Sequence, residues 1–398
     1  MTIADTTSAS AGPTWLRVDK LGVLVTLLVV GGALLPFAMF RPTRIAAGEA
    51  RHLLEALPTT GSAAVALLLL GGTVVSVLRL PTLFRLGAGL AVLALLLVAI
   101  GWSATFLVPP DNSFARAGPG GGFWVWLLAF ALLVTDALAR LRPRPWARIG
   151  MLALVGVGFA VLLMSGVWND LSVLKEYGTR APAFWQEGQT HLWLAFGSVA
   201  IAAVAGVPLG ILCYKVESLR AAVLNLLNIV QTIPSIALFG LLIAPLAWVA
   251  ATVPGARAVG ISGIGAAPAF IALFAYSLLP VVSNTVVGLL GVSPPAVEAA
   301  KGMGMTGRQR LVGVELPLAL PVILTGIRIV LVQNIGLATI AALIGGGGFG
   351  VFVFQGIGQT AMDLVLLGAV PTVALAFAAA VVLDALVDMT SRGGRAAA

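Results

Sequence analysis

SPPAVEAAKGMGMTGRQRLVGVELP, residues 293–317, lies between two long apolar runs and has a helical grammar of its own. Ser293 can cap a helix whose first positions are Pro294 and Pro295, because prolines in a first turn lose no needed hydrogen bond. Glu298, Ala299, Ala300 and Lys301 continue that helix until Gly302 and Gly304 end it or admit another backbone. Thr306 and Gln309 have capping-box spacing, which starts a second short helix through Leu311 and Val314. Leu316–Pro317 is expected to close it before the next apolar run. Two short helices joined at glycines make a compact docking element. The competing reading is an amphipathic helix lying flat on a membrane, for which Ala299, Ala300 and Gly304 offer little anchoring area.

Of the 398 residues, 60% are hydrophobic and 10% charged. Soluble domains carry about 25% charged residues, so this chain cannot cover a water-facing surface and reads as an integral membrane protein. Its net charge of +8 needs no nucleic acid as partner, since basic residues in short cytoplasmic loops set membrane topology. A single cysteine, Cys213, excludes a disulfide framework and a thiolate metal site, and His52 and His191 are far apart. No G-x-x-x-x-G-K-[ST] phosphate loop occurs, so nucleotide chemistry by that route would need another chain.

A spanning helix needs roughly 20 apolar residues, and the candidate windows are 21–40, 60–78, 86–108, 123–139, 149–168, 191–214, 223–250, 261–291, 318–344 and 362–387. The expected class is therefore all-α and polytopic, with about ten transmembrane helices. The first window lacks a small-residue cleavage site and reads as a retained anchor. With both termini cytoplasmic, the inside segments carry Arg17, Lys20, Arg79, Arg85, the cluster from Arg140 to Arg148, Lys215, Arg220, Lys301, Arg308, Arg310, Arg392 and Arg395. Outside fall Arg41, Arg44, Arg51, Arg116, Lys175, Arg180 and Arg257, an asymmetry that supports this orientation. The mixed-charge stretch 169–190 reads as an outside loop dividing an N-terminal region, 1–185, from a C-terminal region, 190–390. Trp168 and Trp185 bracket it as interfacial anchors or as part of a docking surface.

The spacing E-A-A, three residues, G, nine residues, I-x-L-P resembles the signature loop of permease subunits in binding-protein-dependent ATP-binding-cassette importers. Here it is Glu298-Ala299-Ala300, Gly304, then Val314-Glu315-Leu316-Pro317, with valine for isoleucine as the one departure. The resemblance covers residues 190–390, a five-helix type I importer core, including TIPSIALFGLLI (232–243) and ALIGGGGFG (342–350). The run 315–350 looks most like permeases for osmoprotectants such as glycine betaine, choline and carnitine. The resemblance implies that the loop docks in a groove of a cytoplasmic ATPase and transmits its closure to the spans. It further implies that ATP and Mg act on that partner and no cofactor binds this chain. A second permease subunit, the same or a different chain, and an extracytoplasmic solute-binding protein are also implied, in a bacterial inner membrane. A permease for another small solute, such as an amino acid, fits the same core. An ion-gradient transporter would show midplane ionisable residues or repeated halves, and a membrane enzyme would show clustered His, Asp or Glu.

In the window 223–250, Asn225, Asn228, Gln231 and Ser235 are spaced to share one helix face. They line a polar path or hydrogen-bond neighbouring helices, and Asn284 and Asn334 present the same choice. Arg328 stands roughly 10 residues into its span, where an unpaired cation costs at least ~2.5 kcal/mol. Asp363, Asp384 and Asp388 are its candidate partners, and its role is an ion pair, a conformational latch or a substrate contact. Pro234 and Pro245 can kink their span. The run Gly345–Gly348 suits a loop with permissive dihedrals more than a ligand loop, and the fold that the resemblance implies would place it near the outer mouth, with a gate role open to it. Asp136 is placed to meet Arg140 at i,i+4. No cage of aromatic residues is evident, which leaves selectivity to the binding protein.

Overall fold

The structure is a computed structural model, and it describes residues 19–43, 46–78, 80–112 and 114–396, with side chains to 391. Arg17, Arg44 and Arg79 lie outside these residues, as do the side chains of Arg392 and Arg395. The described residues form two compact units, one within 1–143 and 156–175, the other within 144–155 and 176–398.

The first unit contains α1 (Lys20–Ala33), β1 (Ala38–Arg41), β2 (Glu49–Arg51), α2 (Leu53–Ala56), α3 (Thr59–Val77), α4 (Thr82–Leu107), β3 (Arg116–Pro119) and α5 (Gly121–Leu141). Helices α1, α3, α4 and α5 close around Phe130, Leu133, Leu96 and Trp126, whose indole N–H donates to the Val29 carbonyl at 2.9 Å. The all-helical expectation omits one feature, a three-stranded antiparallel sheet in the order β2-β1-β3. It pairs Ala38 with Arg51 and with Pro119, from strands too short for a period-2 pattern to register. The first window also falls short. Helix α1 has 14 residues, or about 21 Å at 1.5 Å per residue against a core of about 30 Å, because the chain turns at Pro36 into β1. Among the described residues, nine other helices are long and apolar enough to cross a membrane. Trp168 is more than an interfacial anchor, since its N–H donates to the Leu97 carbonyl at 2.7 Å.

At one end of this bundle Asp19 caps α1, accepting from the Leu21 N–H at 3.1 Å. It also pairs with the buried Arg85 of α4 and with Arg140 of α5 at 3.2 Å. Asp136 completes the group, 2.8 Å from Arg140 as the i,i+4 spacing led us to expect and 3.5 Å from Arg85.

The second unit takes in the first half of α6 (Pro145–Met164) and most of α7 (Ser172–Leu192). It continues through a π turn at Trp193–Gly197 into α8 (Ser198–Lys215), then α9 (Glu217–Thr232), α10 (Ser235–Thr252) and α11 (Ala266–Leu290). Next come α12 (Pro294–Gly302), α13 (Gly307–Arg310), a second π turn at Leu311–Glu315 and α14 (Leu316–Ala338). A 3₁₀ turn at Ile340–Ile344, α15 (Gly350–Gly358) and α16 (Met362–Ala396) complete it. Two expectations are corrected. The stretch 169–190 is helical from Ser172 onward, kinked at Arg180 (φ −127°, ψ 15°) with Pro182 just beyond. Its mixed charges occupy one face of an amphipathic helix, a pattern that reads as a loop when only span-length apolarity is sought. The window 223–250 is two helices. Pro234 has no N–H and holds Ile233 extended (φ −70°, ψ 126°), so it ends α9 instead of kinking a single span.

Helix α11 lies between α8 and α14, and small residues set the approach. A Cβ on Gly206 would fall 2.9 Å from Val281, one on Gly210 2.6 Å from Thr285, and one on Gly326 2.7 Å from Asn284. Lipid gives no hydrophobic drive between helices, so this close backbone packing is what holds them.

The Asp19 carboxyl provides a test of the first unit. Burial raises its pKa, but the hydrogen bonds from Arg85 and Leu21 and the charges of Arg85 and Arg140 outweigh that and hold it below the usual 3.8. The stabilisation is therefore complete above that value and fades as pH falls through the lower folded-state pKa. Asp19→Asn is expected to cost about 3 kcal/mol at neutral pH by leaving Arg85 short of a partner. It should also remove this contribution to acid sensitivity, and melting the detergent-solubilised variant between pH 3 and 7 checks both.

Candidate functional site

Between α11 and α14 the chain makes a capped elbow. Ser293 takes the extended N-cap conformation without a side-chain cap bond, and Pro294 and Pro295 occupy the first two helical positions. At the other end of α12 the Met305 N–H reaches the Ala300 carbonyl at 3.2 Å and the Gly304 N–H reaches the Lys301 carbonyl at 2.9 Å. This 6→1 and 5→2 pair is a Schellman motif, and it needs a left-handed residue at Gly304, where φ is +74°. Nothing lies within 4 Å of a Cβ built there, so conformation, not space, requires the glycine. The capping box is present, with the Thr306 N–H donating to Gln309 Oε1 at 2.8 Å and the Gln309 N–H to Thr306 Oγ1 at 3.4 Å.

The second short helix does not close at Leu316–Pro317. It runs through the π turn into α14, and the Leu316 N–H bonds the Leu311 carbonyl five residues back. Pro317 sits at the beginning of α14, where the shifted ladder absorbs its missing donor. The elbow has a buried side and an open side. Ala300, Leu311 and Glu315 are buried, and Leu311 packs with Leu289, Ala319 and Ile323, joined by Ile211, Tyr214 and Leu316. Arg310 Nε donates to Glu315 Oε1 at 2.6 Å, pinning the turn at the foot of α14. Ala299, Gly304 and Pro317 are exposed, as is Glu298, whose 2.9 Å contact with Lys301 is a surface pair of two well-exposed side chains. Glu315 was missed as a structural residue. The signal available was a carboxylate at the foot of an apolar run, five residues after an arginine.

The polar residues of the spans divide by what they touch. Asn225 and Asn228 lie exposed on α9, whereas Ser235 is half-buried at the start of α10, so the four do not share a helix. Gln231 closes a gap made by proline. Pro280 has no N–H for the Tyr276 carbonyl four residues earlier, and Gln231 Nε2 donates to that carbonyl at 2.9 Å. Tyr276 Oη reciprocates, donating to the Ile233 carbonyl at 2.5 Å, so the α9–α10 break is stitched to the proline-bearing turn of α11. Asn284 Nδ2 donates to the Pro280 carbonyl at 2.8 Å. Asn334 is fully buried, and its Nδ2 meets Ser198 Oγ and Ser277 Oγ, each at 2.8 Å, joining α14 to α8 and α11.

Arg328 pairs with Asp384 of α16. Asp384 also receives Arg148 of α6 at 2.7 Å, and Arg148 lies 2.9 Å from Asp388. Asp363 instead accepts from the Leu364 N–H at 3.0 Å. In the glycine run, Gly345, Gly347 and Gly348 have positive φ, and the Gly348 N–H donates to Glu187 Oε2 of α7 at 2.6 Å.

A helix-bundle membrane protein with an exposed, glycine-capped elbow continuous with a spanning helix is the architecture of a transport permease. Residues 206–394 match the family described as binding-protein-dependent transport system inner membrane component. Residues 17–174 match the N-terminal domain of the ABC transporter permease YehY. The osmoprotectant import permease protein OsmW of Salmonella typhimurium is 44% identical over 194 residues, 49% of this chain and 83% of that protein. The glycine betaine/carnitine/choline transport system permease protein OpuCB of Bacillus subtilis is 37% identical over 202 residues, 51% and 84% of the two chains. A solved structure of the MetNI methionine ABC transporter in an inward-facing conformation aligns with a TM-score of 0.45 at 23% identity, covering 53% of this chain and 95% of that one. The chain belongs to the family of binding-protein-dependent inner-membrane transport components, and it is a multi-pass permease subunit of an ABC importer.

The Gln231 stitch predicts a double-mutant result. Gln231→Leu leaves the Tyr276 carbonyl unpaired and should destabilise by about 1–3 kcal/mol. Pro280→Ala returns an N–H to that carbonyl, so the same Gln231 change should cost almost nothing in that background, read from the melting temperatures of the four proteins.

Proposed function

We propose that this permease imports a small trimethylammonium osmoprotectant, of which glycine betaine is the representative, and that the elbow 294–317 is its link to a separate ATPase chain. The observation that carries the link is the asymmetry of the elbow. One side is fixed by Ala300, Leu311 and the Arg310–Glu315 pair, while the other presents Glu298, Ala299 and Gly304. The Glu298–Lys301 contact is a surface pair of low worth, so Glu298 is free to exchange it for a basic residue in an ATPase groove, where the bond strengthens as water leaves.

Because α13 runs through the π turn into α14, a displacement of the elbow that reaches α13 is delivered to the spans by a continuous helix. ATP with Mg acts on the partner ATPase, drawing two such subunits together beneath two permease subunits and switching the path between its outward and inward states. The elbow and both termini then face the cytoplasm, and an extracytoplasmic solute-binding protein delivers the ligand. The substrate class rests on relatives that are named for osmoprotectants, glycine betaine, carnitine and choline.

Glu298→Lys and Gly304→Asp are expected to give folded, membrane-inserted proteins whose partner ATPase is no longer stimulated by loaded binding protein, with uptake reduced to background. Proteoliposomes holding permease, ATPase and internal ATP, supplied with binding protein and radiolabelled glycine betaine, measure both. Normal uptake by either variant overturns the role of the elbow, and uptake driven by a proton or sodium gradient without ATP overturns the mechanism.

A further inference from the structure

Aromatic residues separated by more than a hundred positions meet where α7 approaches the beginning of α15. Phe184 packs on Phe349 and Phe352, with centroids 5.2 and 6.2 Å apart, and both of those rings are buried. On this floor Tyr177 and Trp185 stand nearly perpendicular to Phe184, at interplanar angles of 86° and 85° and centroid distances of 5.2 and 5.7 Å. Trp185 Nε1 donates to Tyr177 Oη at 3.2 Å, which holds the two upright rings in register. Tyr177 and Phe184 are half-buried and Trp185 is 62% exposed.

An exposed tryptophan in a membrane protein is ordinarily an interfacial anchor, with its N–H turned to headgroups and water. Trp185 does not fit that use, because its N–H is committed to Tyr177 and what it offers outward is ring surface. The charge nearby does not oppose a cation. Arg180 is matched by the buried Glu176 at 3.2 Å, and Glu187, one turn beyond Phe184, adds a carboxylate. Glu187 is also the residue that holds the Gly348 N–H, so the rings and the glycine turn 345–348 are tied to the same helix.

A trimethylammonium group has no N–H to donate. It is held by the negative faces of aromatic rings and by contact with its methyl groups, and tryptophan is the strongest such face. We propose that the corner formed by Tyr177, Phe184 and Trp185 is a contact site for the quaternary ammonium head of the solute as it passes the glycine turn. This rests on the trimethylammonium reading of the substrate given above. The site recognises only the head, so it treats glycine betaine, choline and carnitine alike and leaves the choice among them to the binding protein.

The test uses the complete assembly in proteoliposomes and compares Trp185→Phe with Trp185→Leu. With radiolabelled glycine betaine, Trp185→Leu should lower uptake per ATP hydrolysed about threefold to fivefold, the scale of one partly exposed cation–π contact, and Trp185→Phe should retain most of it. ATP hydrolysis stimulated by loaded binding protein should stay at the wild-type rate in both, showing that folding and docking are intact. Should Trp185→Leu fail to assemble, Tyr177→Leu against Tyr177→Phe makes the same comparison. Unchanged uptake in the leucine variant overturns the site. So does an equal loss in the phenylalanine and leucine variants, or a parallel fall in stimulated hydrolysis, since these report packing or docking in place of a ring face. If the wild-type assembly moves neither glycine betaine nor choline, the substrate reading itself has failed, a result distinct from any difference among variants.

Discussion

A bilayer offers no water to a stray backbone carbonyl, and that constraint orders most of what the second unit does with its polar residues. The chain places prolines inside its spans, at Pro208, Pro245, Pro280, Pro321 and Pro371, and each removes a donor from a helical ladder. At Pro280 the repair is visible, with Gln231 reaching from α9 to the carbonyl that proline abandoned. Tyr276 answers at the Ile233 carbonyl, which the α9–α10 break leaves open. Residues that look in sequence like the lining of a polar path are thus partly maintenance of the backbone. Asn334, knotted among Ser198, Ser277 and the Leu273 carbonyl, belongs with Gln231, whereas Asn225 and Asn228 remain exposed.

The elbow was legible because its signals are local. Two prolines after a serine, a threonine three residues before a glutamine, and a glycine at the end of a short helix each specify their own geometry within a turn or two. The split of 223–250 was carried by one residue, Pro234, and two outcomes, kink and break, share that signature; the surroundings decided. Helix α7 was hidden because its apolar residues fill a stripe and not a whole span. The aromatic corner was hidden for a different reason. Tyr177, Phe184 and Trp185 lie in one segment but gain their floor from Phe349 and Phe352, and no local rule announces a contact across that separation. The small sheet is the same case in miniature, since β1 finds partners in two other loops.

The Arg328–Asp384 pair restricts how α14 can act as a rod. The rod is continuous from α13, so force passed on through the elbow would tend to slide α14 along its neighbours. Parting Arg328 from its carboxylate would leave a cation well inside the span at a cost of at least ~2.5 kcal/mol, while Asp384 would stay with Arg148 of α6. It is cheaper for α14 and α16 to move together, carrying the pair intact. The bending must then fall where the backbone is already interrupted. The break at Pro234 and the left-handed glycines at 345, 347 and 348 are such places. The glycine turn is also where Glu187 ties α7 to the chain. On the proposed coupling, a motion that begins at the elbow would be steered by this one ion pair within the span toward the turn beside the aromatic rings, linking the two ends of the second unit without any residue having to span them.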